Sequence, residues 1–546
     1  MVTSFDTDTE RMWGRRPAFW AGVLILATAA ARLAFIASGQ LDLVQDEAQY
    51  WDWSRRLQAS YFTKGPLIAW WIGLWTAVFG NTDFGVRFGA VLGSTITQIV
   101  LYLGLARGFG RPRLALMVLV AANATILFMV SGLLMTTDNP LLACWVGGLF
   151  CLHMAARRPG ARWPLAVLAG CMAVGVWAKY MMLALAGVAL LYWLGLRRHG
   201  RAPEGLGGRL ALALGLGAAL GLAPILAWNA ANDWVGLRHV FHLAGVEGKA
   251  AATFIRFDRI GPYLGGQVGL LTPWWLAFML WGGWRAARQA WVWTGPEKAR
   301  TGLEPDQALL LACGFWPLWG FFLVWSLHTK ILANWPAVSY AAGLVLAGMA
   351  WNGLARRVGG RDWRVWLWPV LGLLLFTVGH VHDLLPLPYR VRAEVPFVDD
   401  SVYFENPVLR LKGWQDLGRE VDELRRSRFD DPDRVFFFAG NYDMTAALAY
   451  HVPGRPRAYC LNTGRRLNQY DLWPSPDQDG LLGWDAVYVR QKFHGVPEPG
   501  VPALFERVRR MEFQSEHEGR PARRFTIFLC YGYKGPWPGL DKGTGY

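Results

Sequence analysis

The chain reads as a polytopic α-helical membrane protein that ends in a soluble α/β domain, and three observations carry that reading. Of its 546 residues 53% are hydrophobic, with a mean hydropathy of +0.20, a balance foreign to a soluble enzyme of this length. The apolar residues fall in runs of about 17 to 23, the length that crosses a bilayer as a helix. From residue 385 onward the composition turns charged and proline-containing. The formal charge of +15 would suit a nucleic-acid partner. The arginines, however, stand in short clusters between apolar runs, where the positive-inside rule places them.

Taken in order, Arg11, Arg15 and Arg16 precede the first run, residues 18–38. No small-residue cleavage site follows it, so it reads as an uncleaved first helix rather than a signal peptide. Further runs cover 84–106, 112–134, 139–157, 163–180, 181–197, 209–229, 263–284, 306–327, 331–351 and 364–384. That makes about eleven spans. With the N-terminus in the cytoplasm, five basic groups share that side: Arg107, Arg111 and Arg113; Arg157, Arg158 and Arg162; Arg197, Arg198 and Arg201; Arg285 and Arg288; Arg356, Arg357, Arg361 and Arg364.

Parity settles two ambiguous stretches. Residues 64–80 are apolar enough to span, yet a crossing there would put the later arginines on the wrong face. With Trp70, Trp71 and Trp75 they read as a helix lying at the outer interface. Residues 163–197 read as two short spans for the same reason. The odd count divides the chain into a membrane region, 1–384, and an extracytoplasmic domain, 385–546. Within that domain Trp414–Arg426 reads as an amphipathic helix, Arg434–Ala439 as a buried strand, Thr445–His451 as a helix and Trp484–Arg490 as a strand. Such alternation implies a small α/β layer.

Cys144, Cys151, Cys171 and Cys313 lie in apolar runs without metal-ligand spacing and read as packing residues. Cys460 and Cys530 lie in the polar region, where an oxidising compartment would allow them to pair. There is no Gly-x-Gly-x-x-Gly or Walker A sequence, so nothing signals a nucleotide.

The polar residues that border the apolar runs sort to one side. Asp46, Glu47, Lys64, Asp138, Asn139, Lys179, Tyr180, His328, Lys330 and Asn334 all fall at outer ends under this topology. Helix ends are wet, so any one of them could be an ordinary cap or solvated charge. Their convergence on one face points to chemistry. A carboxylate beside a hydroxyl can act as general base, and two carboxylates can hold a divalent cation. Lys64, Lys179 and Lys330 supply the positive charge that stabilises a departing phosphate. His239 and His242, three apart in the long loop 228–262, have metal-ligand spacing, although an interfacial histidine pair is the commoner meaning. Arg238, Lys249, Arg256 and Arg259 in that loop could grip phosphate. Arg465, Arg466, Asn468, Gln469 and Tyr470 could read an acceptor glycan.

Three motifs in order, Asp46-Glu47-Ala48-Gln49-Tyr50, Tyr61-Phe62-Thr63-Lys64-Gly65-Pro66-Leu67 and Thr137-Asp138-Asn139-Pro140-Leu141, resemble those of the glycosyltransferase C (GT-C) superfamily. The branch resembled is that of glycosyltransferase family 39 and the lipid A aminoarabinose transferases, and Ser326–Pro336 resembles their later lysine-bearing outer loop. The resemblance implies the GT-C fold. It also implies transfer of a sugar from a polyprenyl-phosphate donor to a lipid, glycan or protein acceptor outside the cytoplasm, usually with inversion. If the acceptor is a lipid, the resemblance implies a lipid A-like one, and it implies a bacterial inner membrane. By the same resemblance Asp46 is the catalytic base or acceptor-orienting acid and Asp138 a supporting or metal-binding acid. Lys64 matches the carrier-phosphate lysine, with Lys179, Tyr180, Lys330, Glu47, Tyr50 and Tyr61 on the donor side. Two departures stand out: Gly65 follows the lysine where the family has proline, and Thr63 replaces the acid that precedes it in the aminoarabinose transferases. The second weakens the case for a tightly bound metal and for aminoarabinose as the sugar. The rival reading is a polytopic transporter or lipid flippase, which would place charges near the midplane and show repeated halves. Neither feature is visible.

Overall fold

The computed structural model describes residues 14–243, 255–296, 301–357, 363–380, 390–393, 402–405 and 407–539. They form two compact units that are discontinuous in sequence. The first comprises Met1–Phe35, Lys64–Ile68 and Arg87–Phe376; the second comprises Ile36–Thr63, Ala69–Val86 and Thr377–Tyr546. The expected boundary near 384 lies outside the described residues.

In chain order the helices of the membrane region are α1 (Pro17–Ala37), α2 (Gln45–Ser54), α3 (Leu67–Phe79), α4 (Asp83–Leu103), α5 (Pro112–Asn123), α6 (Ile126–Ser131), α7 (Asp138–Arg157), α8 (Trp163–Ala178), α9 (Ala184–Arg198), α10 (Leu206–Ala231), α11 (Val235–Leu243), α12 (Ile260–Leu271), α13 (Pro273–Val292), α14 (Pro305–Trp325), α15 (Ala337–Arg357) and α16 (Arg364–His380). Among the described residues seven are long and apolar enough to cross a membrane, where about eleven spans were expected. The shortfall has local causes. The run 112–134 stops at Asn123 and restarts at Ile126. The run 263–284 breaks at Thr272, whose φ of 67° lies in the left-handed region, and restarts with Pro273 at the first helical position. The runs 163–180 and 364–384 give only the 16-residue α8 and the 17-residue α16, whereas the run 331–351 does yield a span, α15, although it becomes helical only after Pro336. Residues 163–197 do form two helices, separated by Lys179 in an extended conformation (φ −161°, ψ 134°). The stretch expected at the outer interface is the 13-residue helix α3.

The first unit packs as membrane helices do, through small residues. A Cβ on Gly217 of α10 would stand 2.4 Å from the carbonyl oxygen of Ala169 on α8, so glycine sets how closely those two helices approach. The window of α15 that could span is 83% buried and that of α1 only 22%, which makes α15 the central helix and α1 a peripheral one.

The second unit is built on a five-stranded sheet. Its strands are β3 (Val435–Ala439), β4 (Ala458–Cys460), β5 (Asp485–Gln491), β6 (Phe505–His517) and β7 (Arg520–Tyr533), and a separate antiparallel pair is formed by β1 (Arg390–Ala393) and β2 (Val402–Glu405). The order is β4-β3-β5-β7-β6, with β3 parallel to β4 and β5, and β7 antiparallel to β5 and β6. The run Val-Phe-Phe-Phe-Ala of β3 is buried throughout, as a central parallel strand requires. The helices α17 (Trp414–Arg428) and α18 (Tyr442–His451) complete the layer.

Four elements read from sequence in this domain are present within a few residues; β1, β2, β4, β6 and β7 were not expected. The polar, largely exposed face of β6 disguised it as loop. Cys460 and Cys530 are both free thiols, against the expectation that they could pair. They sit on β4 and β7, with β3 and β5 between, so about three strand spacings, roughly 14 Å, separate their strands. No disulfide spans that.

Residues 36–63 belong structurally to this second unit. The carboxylate of Asp42 accepts from the backbone N–H of Trp414 at 2.7 Å, the Phe62 N–H donates to Gln469 Oε1 at 2.7 Å, and Trp51 meets Tyr450 edge-on with centroids 4.9 Å apart. Helix α2 thus packs on α18.

Candidate active site

In the first unit the site is assembled at three interruptions of helical backbone. Helix α8 ends at Ala178, and the extended Lys179 directs its side chain to the first turn of α7. There Lys179 Nζ lies 2.6 Å from Asp138 Oδ1. Asn334, in the irregular segment before Pro336, donates from Nδ2 to Asp138 Oδ2 at 2.9 Å. Asp138 is buried, and the side chains of the pair are 17% and 11% exposed for Lys179 and Asp138. Both carboxylate oxygens are therefore engaged, one by an ammonium and one by an amide.

The Lys64 segment joins the same region through Gly65. A Cβ on Gly65 would stand 2.2 Å from the backbone oxygen of Trp177, a distance no side chain tolerates, so the chain at 64–66 lies directly against the last turn of α8. Gly65, read from sequence as a departure from the family pattern, permits this approach. Lys64 and Lys179 are consequently carried by backbone segments in contact. Lys64 and Tyr180 are half-buried and Lys330 is exposed. Near Lys330 the Arg259 guanidinium donates to the His328 carbonyl oxygen at 2.5 Å, which ties the loop 255–260 to the lysine-bearing segment.

In the second unit α2 carries the two acids first noticed in the sequence, and the structure separates their roles. Glu47 is fully buried, and its Oε2 accepts from the Val44 N–H at 3.2 Å, capping the helix start. Asp46 is exposed. Tyr50 is buried against Trp53. Tyr61 is buried, stacked on Trp53 with centroids 4.6 Å apart, and its hydroxyl bonds to the backbone of Gln58, Trp53 and Arg56. Glu47, Tyr50 and Tyr61 therefore hold the shape of the segment that displays Asp46.

A further acid, Asp443 in the first turn of α18, was not singled out from sequence. Its Oδ2 accepts from Gln45 Nε2 at 3.1 Å and its Oδ1 from the Met444 N–H at 3.0 Å. Burial raises its pKa above the usual carboxylate value; its backbone hydrogen bonds oppose that, while the charge of Asp46 adds to it. The neighbouring Tyr442 is pushed up to about 12, by burial first and then by Asp46 and Asp443. No sequence signal distinguishes Asp443 from an ordinary acid after the N-cap Asn441, because its meaning comes from packing beside α2.

Several candidates are redirected. Arg465 makes a bidentate pair with Asp471, 2.8 and 2.9 Å, and donates to Gly440 O. Asn468 caps the turn at 469–472, Gln469 holds Phe62, and Tyr470 is buried. Of that group only Arg466 is exposed, so the other four build the domain and do not face a glycan. Arg256 is paired with Asp258; Lys249 lies outside the described residues. His239 is buried and His242 half-buried on α11. Among the described residues no three His, Cys, Asp or Glu side chains could share a metal ion. With an ammonium already on Asp138, the donor set there does not fit a divalent cation.

A family model described as dolichyl-phosphate-mannose-protein mannosyltransferase matches residues 63–228, a stretch holding Lys64, Asp138 and Lys179. The lipid A galacturonosyltransferase RgtD of Rhizobium johnstonii is 24% identical over 438 residues, 78% of this chain and 81% of that protein. Undecaprenyl phosphate-alpha-4-amino-4-deoxy-L-arabinose arabinosyl transferase 2 of Proteus mirabilis is 29% identical over 131 residues, 21% of this chain and 23% of its own length. In three dimensions the chain is similar to ArnT from Cupriavidus metallidurans, solved with undecaprenyl phosphate bound: TM-score 0.59, 17% identity, 94% of this chain and 99% of that one. At that identity the likeness is one of fold, the GT-C membrane architecture.

Proposed function

We propose that this integral-membrane glycosyltransferase, of the GT-C superfamily, moves a sugar from a polyprenyl phosphate to a lipid A-like lipid, a glycan or a protein outside the cytoplasm. The observation that carries the reading is the buried Lys179–Asp138–Asn334 junction with the Lys64 segment packed against its lysine arm. Charges buried in a helical membrane region are costly and mark function. The relative matched over 78% of the chain is a lipid A galacturonosyltransferase by name, which favours that acceptor.

In the proposed reaction the acceptor hydroxyl oxygen attacks the anomeric carbon as the bond to the phosphate oxygen breaks. The phosphate leaves with the electron pair, and the sugar inverts. The hydroxyl proton goes to a carboxylate. Asp46 suits that task because it is exposed; Asp138 does not, since an ammonium and an amide already occupy its oxygens. Asp138 instead positions Lys179. Lys64, Lys179 and Lys330 supply charge to the leaving phosphate, and no metal is assigned a step. In this reading the chain lies in a bacterial inner membrane with its N-terminus on the cytoplasmic side and residues 385–546 in the periplasm, an orientation that the arginine clusters support.

The test is transfer by purified protein in nanodiscs, with undecaprenyl phosphate carrying either galacturonic acid or aminoarabinose and with lipid A as acceptor, read by mass spectrometry. A mass gain from either donor, lost in Asp46→Asn and Lys64→Ala, is expected. If neither donor is consumed with any acceptor class, and the protein instead moves labelled lipid across vesicles, the transferase reading falls in favour of a flippase.

A further inference from the structure

A second polar cluster lies inside the first unit, around Arg32, a residue given no role in the transfer. On α1 the buried residues Ala21, Ile25 and Arg32 fall on one face, so Arg32 points into the helix packing. It is 8% exposed. Its Nη1 donates to Ser94 Oγ on α4 at 2.9 Å and its Nη2 to Asn123 Oδ1 at the end of α5 at 3.1 Å. Both acceptors are neutral, and among the described residues Arg32 makes no ion pair. A Cβ on Gly132 would stand 2.7 Å from the guanidinium carbon, so the chain also leaves room for this group.

The neighbours add donors without adding negative charge. Asn123 spends its amide on Gln98 Oε1 at 2.7 Å, which leaves the buried Gln98 Nε2 without a partner. Asn139, the residue after Asp138, spends its Nδ2 on two carbonyls, and its unpartnered Oδ1 abuts Gly93. Arg32, Ser94, Thr97, Gln98, Asn123 and Asn139 line one cavity of about 30 Å³. A guanidinium has five N–H donors, more than two neutral acceptors consume. A full positive charge among helices of a membrane region demands a counter-charge that the described residues do not supply.

The geometry points to a small-anion site within the membrane region, in which a monovalent inorganic ion of chloride type is held between the Arg32 guanidinium and Gln98 Nε2. Size selects the ligand. A water needs roughly 10–15 Å³ of such space, so the cavity takes a monatomic ion or a water or two, and not a phosphate headgroup. Binding there would neutralise Arg32 and fasten α1 to α4 and α5. The inference is independent of the sugar-transfer reading.

The probe is bromide, with the full chain in detergent. Crystals grown in bromide should show an anomalous peak within about 3.5 Å of the guanidinium. Melting in bromide or chloride, against gluconate at equal ionic strength, should show a saturable rise on the order of 2 °C. Arg32→Gln should abolish that halide dependence. Because that variant could fail to fold, Gln98→Met, which keeps the charge, should weaken the halide response severalfold. Absence of both the peak and the halide dependence means a merely hydrated arginine and overturns the assignment. Stabilisation by inorganic phosphate but not by halide overturns it equally, in favour of a headgroup.

Discussion

Lys179 Nζ stands 2.6 Å from Asp138 Oδ1, so the residue that terminates α8 is locked to the residue that begins α7. Asn334 secures the other carboxylate oxygen at 2.9 Å, and three separate helix interruptions meet on one acid. Removing Asp138 would leave a mostly buried ammonium without its counter-charge. Asp138→Ala should therefore cost about 3 kcal/mol of stability, and Lys179→Ala about as much. The double variant should cost clearly less than the sum. Thermal melts of the four proteins check this, and additive losses would show that the pair is not coupled.

The two adjacent acids of α2 should behave oppositely. Asp46 is exposed, so Asp46→Asn should leave stability within about 0.5 kcal/mol while transfer falls on the order of 10³-fold, as for loss of a general base. Glu47→Ala removes the acceptor that caps Val44 and should cost about 1 kcal/mol, with a far smaller loss of turnover per folded molecule. Melting temperature and single-turnover rate, measured together, separate the two. Equal effects on both quantities would sink the assignment.

Gly65→Ala tests the close approach to α8. The new methyl meets the Trp177 carbonyl, and the backbone carrying Lys64 must withdraw. The expected result is a drop in kcat/KM for the polyprenyl-phosphate donor of about tenfold or more, with circular dichroism unchanged. A variant of full activity would show that the two lysine segments need not touch.

Asp443 sets a pH dependence in the C-terminal unit. Its folded pKa lies above the ordinary value of 3.8, chiefly through burial. The folded state thus favours the protonated acid, a contribution fully present below the unfolded value and lost as pH rises through the folded one. Asp443→Asn should be the more stable protein at neutral pH, and its advantage should vanish on acidification below about pH 4. Melting curves from pH 3 to 8 decide the point, and a variant less stable at pH 7 contradicts it.

Much of the fold was legible in composition. Runs of membrane length, arginine clusters and the change at 385 led to a helical membrane region with an α/β tail, and the helix break at Lys179 followed from charge parity alone. Interruptions inside apolar runs were not legible. Asn123, Thr272 and the segment before Pro336 look, by hydropathy, like continuous spans, because hydropathy averages over the window in which one residue leaves the helix. Strand β6 escaped because an edge strand with a wet face carries charge along its length.

At the site, residue types and motif order determined which side chains matter: Asp46, Lys64, Asp138 and Lys179 are readable because charge beside apolar sequence is expensive and therefore meaningful. Tertiary structure alone decided what each acid does. Asp46 and Glu47 are neighbours with the same functional group, and only packing exposes one and buries the other as a cap. Asp138 is written as an acid like Asp46, but the ammonium of Lys179, 41 positions away, takes its charge. Gly65 looked like a lapse from a motif until the Trp177 carbonyl stood where a side chain would be. A sequence specifies which charges the chain carries, and the fold specifies how far each is from water and from its opposite, on which the chemistry of a carboxylate depends.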